Sequence, residues 1–292
     1  SVAIIYFGAH GVDNGTMQVG NMMAFIQYAM QIIMSFLMIT AISIMLPRAN
    51  VAAGRICEVL EMVPSVNDPE DPVRPESQEK GTVEFDHVSF AYPKAGENVI
   101  NDITFKAKKG QTVAIIGSTG SGKSTLINLI PRFYDVTKGC VKVDGVDVRK
   151  MTQHDLRDRL GYVPQKGVLF SGTIDSNIRY GNPDMSEADV KLAAQIAQSD
   201  DFIEAKPEGY NAPISQGGTN VSGGQKQRLS IARAIAKNPE IFIFDDSFSA
   251  LDFKTDSKLR QALKEKTKDI TTIIVAQRIS TILNADQIIV LD

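Results

Sequence analysis

Residues 111–133 read QTVAIIGSTGSGKSTLINLIPRF. Gln111 to Ile116 form a short β-branched run suited to a strand buried on both faces, and the last eight residues place apolar side chains at helical spacing. Between them the pattern G-x-x-x-x-G-K-[ST] is filled by Gly117, Ser118, Thr119, Gly120, Ser121, Gly122, Lys123 and Ser124, followed by Thr125. Glycines let successive backbone N–H groups turn inward around phosphate oxygens; a lysine at this spacing reaches the β and γ phosphates, and the Ser124 hydroxyl suits Mg2+. A chance match is expected in about one chain in a hundred of this length. The strand-loop-helix setting makes a plain glycine turn the poorer reading, so an α/β nucleotide-binding domain that takes ATP and Mg2+ is expected.

Two downstream segments extend the site. Glu240 to Asp245 (EIFIFD) is a hydrophobic strand ending in a carboxylate, where an aspartate beside a phosphate loop is placed to hold Mg2+. Val221 to Arg228 (VSGGQKQR) opens the helix that leads into that strand, with Ser222 as its N-cap and Gly223 and Gly224 allowing close backbone approach. Alone, each is weak; behind the phosphate loop they make a nucleotide site.

The N-terminal part has another character. Asp13 is the single charged residue before Arg48, and every other charge, of 31 basic and 34 acidic in all, lies at Arg48 or beyond. Asn14 to Pro47 is free of charge over 34 residues, well past the ~20 apolar residues that cross a bilayer core. Met17 to Leu46 as a helix would rise about 45 Å. Basic residues follow the span, as at Arg48 and Arg55, which argues against a signal peptide and puts the C-terminal side in the cytosol. Val2 to Gly8 reads as the tail of an earlier span and His10 to Gly20 as a short outer loop. Met23, Met30, Met34, Met38 and Met45 share a helical face within about 80°, with Gln27 on it; helix packing is preferred there over a ligand-accepting wall. Pro64, Pro69, Pro72 and Pro75 interrupt any helix. The expected division is 1–62 membrane part, 63–80 linker and 81–292 nucleotide domain.

The formal charge of −3 gives no grip on phosphate backbones, so no nucleic-acid partner is expected. Cys57 and Cys140 lack metal-ligand spacing and form no disulfide framework, which favours a reducing setting. His87 and His154 read as solvent-facing or hydrogen-bonding residues, Lys258 to Lys268 as the wet face of a helix, and Ser186 with Asp189 as a capping box.

These motifs together resemble the ATP-binding cassette (ABC) transporters, of the exporter type in which a transmembrane half precedes the nucleotide domain. Tyr92 in FAYP matches the aromatic that stacks on adenine, Gln165 in YVPQ the Q-loop glutamine, Ser222 to Gln225 (SGGQ) the signature, Ser249 to Asp252 (SALD) the D-loop, and Gln277 in VAQRIST the switch position. The resemblance implies a head-to-tail dimer in which each ATP lies between the phosphate loop of one subunit and the signature of the other, with Asp252 among the nucleotide-binding residues and Ser124, Gln165 and Asp245 around Mg2+. It also implies a multi-pass plasma-membrane protein in contact with lipid, a small-molecule export substrate and a cytoplasmic nucleotide domain. A helical subdomain is expected over Thr173 to Ser230. An antiparallel patch is expected from Thr82 to Tyr92 and Cys140 to Asp144, and parallel strands near Gly161 to Pro164 and Ile270 to Ala276. Against this pattern the chain looks truncated at both ends.

Two positions depart from the family. The glutamate that polarises the attacking water is Asp246 here, one methylene shorter, which withdraws the carboxylate by about 1.5 Å; a misplacement near an ångström costs on the order of a hundredfold. The switch histidine is Gln277, which donates a hydrogen bond but carries no charge. Both changes strike one reaction, so this chain resembles the degenerate subunit of a heterodimeric multidrug exporter, binding Mg-ATP, turning it over slowly, and lending its SGGQ to a partner half-transporter. A homodimer with slow hydrolysis and a non-hydrolysing regulatory module remain alternatives; a cytosolic ABC ATPase without spans conflicts with the apolar run.

Overall fold

The computed structural model describes residues 2–75, 80–93, 95–266, 269–277 and 282–292. They fall into two compact units, one ending at Pro64 and the other starting at Ser65. The first is two helices, α1 (Val2–Asp13) and α2 (Val19–Leu60). The expected outer loop is shorter than His10 to Gly20, because α1 runs to Asp13 and the turn is closed by Gly11 O, which accepts from Thr16 N and Met17 N. Pro47 lies inside α2 without ending it. Along α2 the Ser35, Thr40 and Ser43 hydroxyls donate to the carbonyls four residues back at 2.8–2.9 Å, which satisfies polar groups where an apolar surrounding offers no other partner. The five methionines of the shared face are all exposed within this unit.

The second unit is built on two sheets. An antiparallel sheet, in the order β2-β1-β4-β5, is formed by β1 (Val83–Phe90), β2 (Ile100–Ala107), β4 (Lys138–Val143) and β5 (Val146–Asp147). Of these, β2 and β5 lie beyond the two segments given to the patch by sequence; β2 alternates weakly because only Ile100 and Ala107 are fully buried at its ends. The second sheet is parallel, in the order β11-β3-β10-β9-β6. It takes β3 (Thr112–Gly117), β6 (Leu160–Val163), β9 (Ile241–Asp245), β10 (Thr271–Val275) and β11 (Gln287–Leu291).

Both faces of the parallel sheet are covered, so β9 is buried at all five positions. Its period of two sorts the side chains: Ile241 and Ile243 join the core under the antiparallel sheet, while Phe242 and Phe244 join the core shared with the helices. Between β3 and β4 lies α3 (Lys123–Asn128). It is shorter than the run LINLIPRF suggests; Leu129 and Ile130 close i→i−3 bonds and Pro131 then bars continuation.

After β5, α4 (Gln153–Asp158) leads into β6. The helical subdomain comprises a small ribbon of β7 (Gly172–Thr173) and β8 (Pro213–Ile214) with α5 (Ile174–Ile178), α6 (Glu187–Ile196), α7 (Asp200–Glu204) and α8 (Gly223–Ala236). α8 delivers the chain to β9, as the sequence reading expects, and carries the helical part beyond the Ser230 given as the rough end of the subdomain. Last, α9 (Phe253–Lys266) buries Leu259 and Leu263 and exposes Lys258, Lys264 and Glu265; Thr267 and Lys268 of that charged stretch lie outside the described residues.

Ser186 caps α6 by accepting from Asp189 N at 3.2 Å, but the Asp189 carboxylate meets the Ser186 hydroxyl at 2.7 Å where a full capping box needs the Ser186 N–H; aspartate is a methylene shorter than the box glutamate. His87 Nδ1 lies 2.8 Å from Asp102 Oδ1 and His154 Nδ1 3.1 Å from Asp158 Oδ2, both pairs exposed. The proline stretch is tied to the second unit, with Val73 N donating to Lys150 O and Gln153 N to Asp68 Oδ1.

Candidate nucleotide site

The phosphate loop leaves β3 at Gly117, where a side chain is barred: a Cβ would lie 2.3 Å from Leu291 O and 2.6 Å from Ser121 Oγ. Gly122, the N-cap of α3, has φ +89, a conformation open to glycine. Between them Ser118, Thr119 and Gly120 are exposed at the tip. Lys123 Nζ donates to Gly117 O at 2.9 Å and to Ser118 O, curling back over the loop it must serve. Ser124 Oγ donates to Asp245 Oδ1 at 2.8 Å, and Thr125 Oγ1 is 2.9 Å from Tyr92 OH. Tyr92 also packs edge-on to Phe90 and Tyr134.

Behind the loop, β9 delivers two adjacent carboxylates, both largely buried. Burial pushes the Asp245 carboxyl above the usual range; the Ser124 hydrogen bond and the Lys123 charge oppose this, and the Asp246 charge adds to it. Asp246 has φ 45, uncommon for a residue with a side chain, and its N–H donates to Val275 O at 3.1 Å. Its Oδ2 accepts from Gln277 Nε2 at 2.8 Å and lies 3.4 Å from Gln165 Nε2. Gln165 and Gln277, read from separate motifs, therefore converge on one oxygen of Asp246. Arg278 to Thr281 of the same motif lie outside the described residues.

Ser124 and Asp245 present hard oxygen donors side by side, with the Gln165 amide on the neighbouring carboxylate. This donor chemistry fits Mg2+, which prefers carboxylate and hydroxyl oxygen with retained water. No group of three or more His, Cys, Asp or Glu that could hold a metal ion exists among the described residues.

The SGGQ segment is built differently. Ser222 Oγ accepts from Gln225 N at 3.2 Å and Gln225 Oε1 accepts from Ser222 N at 3.0 Å, a reciprocal capping box. Ser222 and Gly223 are exposed, and a Cβ on Gly223 would meet nothing within 4 Å. Among the described residues, Ser222 to Gln225 share no hydrogen bond with the phosphate loop. Asp252 is exposed; a hydrogen bond with the Thr255 side chain, and then one from Thr255 N to its Oδ1 at 3.0 Å, hold its carboxyl below the usual range at the start of α9. Sequence reasoning missed Ser247 and Gln227. Ser247 is fully buried and donates to Val163 O at 2.9 Å; Gln227 is buried in α8. The available signal was a glutamine on the apolar face of the SGGQ helix.

A profile of the ABC transporter family matches residues 100–249, about half of the chain. An uncharacterized ABC transporter ATP-binding protein of Mycobacterium tuberculosis is 47% identical over 295 residues, covering 100% of this chain and 50% of its own length. The putative multidrug export ATP-binding/permease protein YgaD of Bacillus subtilis is 39% identical over 289 residues, covering 99% of this chain and 50% of its own. Among solved structures, a bacterial Atm1-family ABC exporter with ATP bound superposes with a TM-score of 0.85 at 34% identity, covering 100% of this chain and 50% of that one. The chain thus spans about half the length of the curated relatives it matches.

Proposed function

The chain belongs to the ABC transporter family, and from that premise we propose that it is the ATP-binding part of an export half-transporter whose own phosphate loop holds Mg-ATP but turns it over slowly. Residues 1–62 form part of the membrane domain, 63–80 the linker and 81–292 the nucleotide domain. The protein lies in the plasma membrane as a multi-pass subunit, with its nucleotide domain in the cytoplasm and a small-molecule substrate exported through the assembly. Support for the membrane part comes from α2, apolar and long enough to cross a bilayer, and from the export names of relatives such as YgaD.

In this reading Gly117 to Thr125 cradle the phosphates, Tyr92 meets the adenine, and Ser124, Asp245 and Gln165 hold Mg2+, which neutralises phosphate charge. Ser222 to Gln225 and Asp252 face a nucleotide held by a homologous but different partner. Asp246 and Gln277 hold the position of the attacking water in the chain's own site. The observation that carries slow turnover is the Gln277 amide on Asp246 Oδ2 at 2.8 Å: a carboxylate already one methylene short is held by a neutral donor that cannot supply charge.

The test is ATP turnover by the full-length subunit, alone and mixed with its homologous partner, with wild type set against Asp246→Glu plus Gln277→His. The mixture is expected to be active, and the lone subunit nearly silent until the two positions are restored, with a gain of tenfold to about a hundredfold. Brisk turnover by the lone wild-type subunit would instead establish a homodimer for which Asp246 and Gln277 suffice. Tight ATP binding with no turnover in any combination would make it a regulatory module.

A further inference from the structure

We propose that Gln227 is a positioning residue for ATP turnover: a buried strut that locks the loop carrying Gln165 to the helix carrying SGGQ, so that the two move as one body. Its side chain is 1% exposed, and both ends of its amide are used. Gln227 Nε2 donates to Pro164 O at 3.1 Å and Gln227 Oε1 accepts from Gly167 N at 2.9 Å. These two backbone groups flank Gln165, whose own amide lies 3.4 Å from Asp246 Oδ2.

Two further contacts make the loop a continuation of α8. A Cβ on Gly167 would sit 2.8 Å from Lys226 O and 2.8 Å from Ser230 Oγ, so the loop backbone lies hard against the helix. Arg233, farther along α8, donates to Val168 O at 2.9 Å. On the other side Ser247, next to Asp246, donates to Val163 O at 2.9 Å. Residues 163–168 are therefore held from the Asp246 loop at one end and from α8 at the other. A buried amide that satisfies both of its partners rigidifies such a junction, and losing it leaves a backbone donor and acceptor unpaired. A displacement at Gln165 must pull on α8, whose first turn is the capping box of Ser222. The inference rests on the reading that Ser222 to Gln225 meet a nucleotide held by a partner.

The test uses the assembled full-length transporter in membranes with three variants. Gln227→Leu removes both bonds; Gln227→Glu keeps the acceptor for Gly167 N–H and loses the donor to Pro164 O; Gly167→Ala pushes the loop, and with it the Gly167 N–H bonded to Gln227, off α8 while leaving the Gln227 side chain itself unchanged. The expected result is a fall in kcat on the order of tenfold or more for Gln227→Leu and Gly167→Ala, with an intermediate fall for Gln227→Glu. KM and the affinity for Mg-ATP should stay within about twofold of wild type, because no phosphate-loop contact changes. Hydrogen–deuterium exchange over residues 164–170 should accelerate in Gln227→Leu. A kcat within twofold of wild type despite faster exchange would overturn the proposal, as would a loss confined to KM or ATP affinity, which marks a fold-wide defect. Should the wild-type subunit alone prove brisk, the heterodimer reading falls while the same kcat comparison, made in that homodimer, still decides for or against Gln227.

Discussion

The phosphate loop and the SGGQ segment are built in opposite ways. Around the loop four candidate side chains are already engaged within the chain: Lys123 on Gly117 O, Ser124 on Asp245, Thr125 on Tyr92, and Gln277 on Asp246. At SGGQ, the Ser222 and Gln225 side chains each accept from the other's backbone N–H, and Gly223 faces open space. In the proposed pairing, that folded, capped and open surface serves as half of a site, whereas the phosphate loop carries its donors with it. This asymmetry is the physical content of the proposed head-to-tail pairing.

The largest expected effect attacks the self-contained side. Lys123→Ala should weaken Mg-ATP binding by the subunit on the order of a hundredfold, the loss of charge-assisted hydrogen bonds to phosphate. Equilibrium binding of a fluorescent ATP analogue checks it, and unchanged affinity would mean the loop is not the nucleotide site. Next comes the open side. A Cβ at Gly223 meets nothing within 4 Å, so in Gly223→Val thermal unfolding and ATP affinity of the subunit should hold, while turnover of the assembled dimer drops by about tenfold through obstruction of the partner's nucleotide. Equal losses in the isolated subunit and the assembly would erase the distinction between the two sides.

The smallest effect sharpens the comparison through charge. The Asp245 carboxyl is raised above 3.8 by burial first and by Asp246 as well, so between its unfolded and folded values the native state holds the extra proton. Stability in Mg2+-free buffer should therefore fall as pH rises through that window, and the decline should vanish in Asp245→Asn. Ser222→Ala should shift stability by the same amount at every pH, since its cap carries no charge. Denaturant unfolding in detergent across that range measures both, and parallel curves for wild type and Asp245→Asn would remove the electrostatic difference between the sides.

Much of this architecture was legible before folding. The β-branched run before Gly117, the Asp245 strand and the capped α8 each carry a local signature, because strand period, glycine torsions and helix caps act over a few residues. The length of α3 was not legible, since apolar spacing continues past Asn128 while the i→i−3 turns and Pro131 end the helix. Nor was β2, whose burial depends on β1 beside it. Asp252 reads as a nucleotide contact by its motif, yet in the fold its carboxylate also starts α9.

By itself the sequence determined the phosphate loop, the apolar span and the two departures at Asp246 and Gln277, because each is a matter of residue type at a fixed local spacing. Tertiary structure alone decided that Gln165 and Gln277, 112 positions apart in the chain, meet at one oxygen of Asp246, and that Gln227 spans the backbone on either side of Gln165. Convergence of this kind follows from the order of parallel strands, which brings the ends of β6, β9 and β10 side by side. No short-range pattern encodes that order.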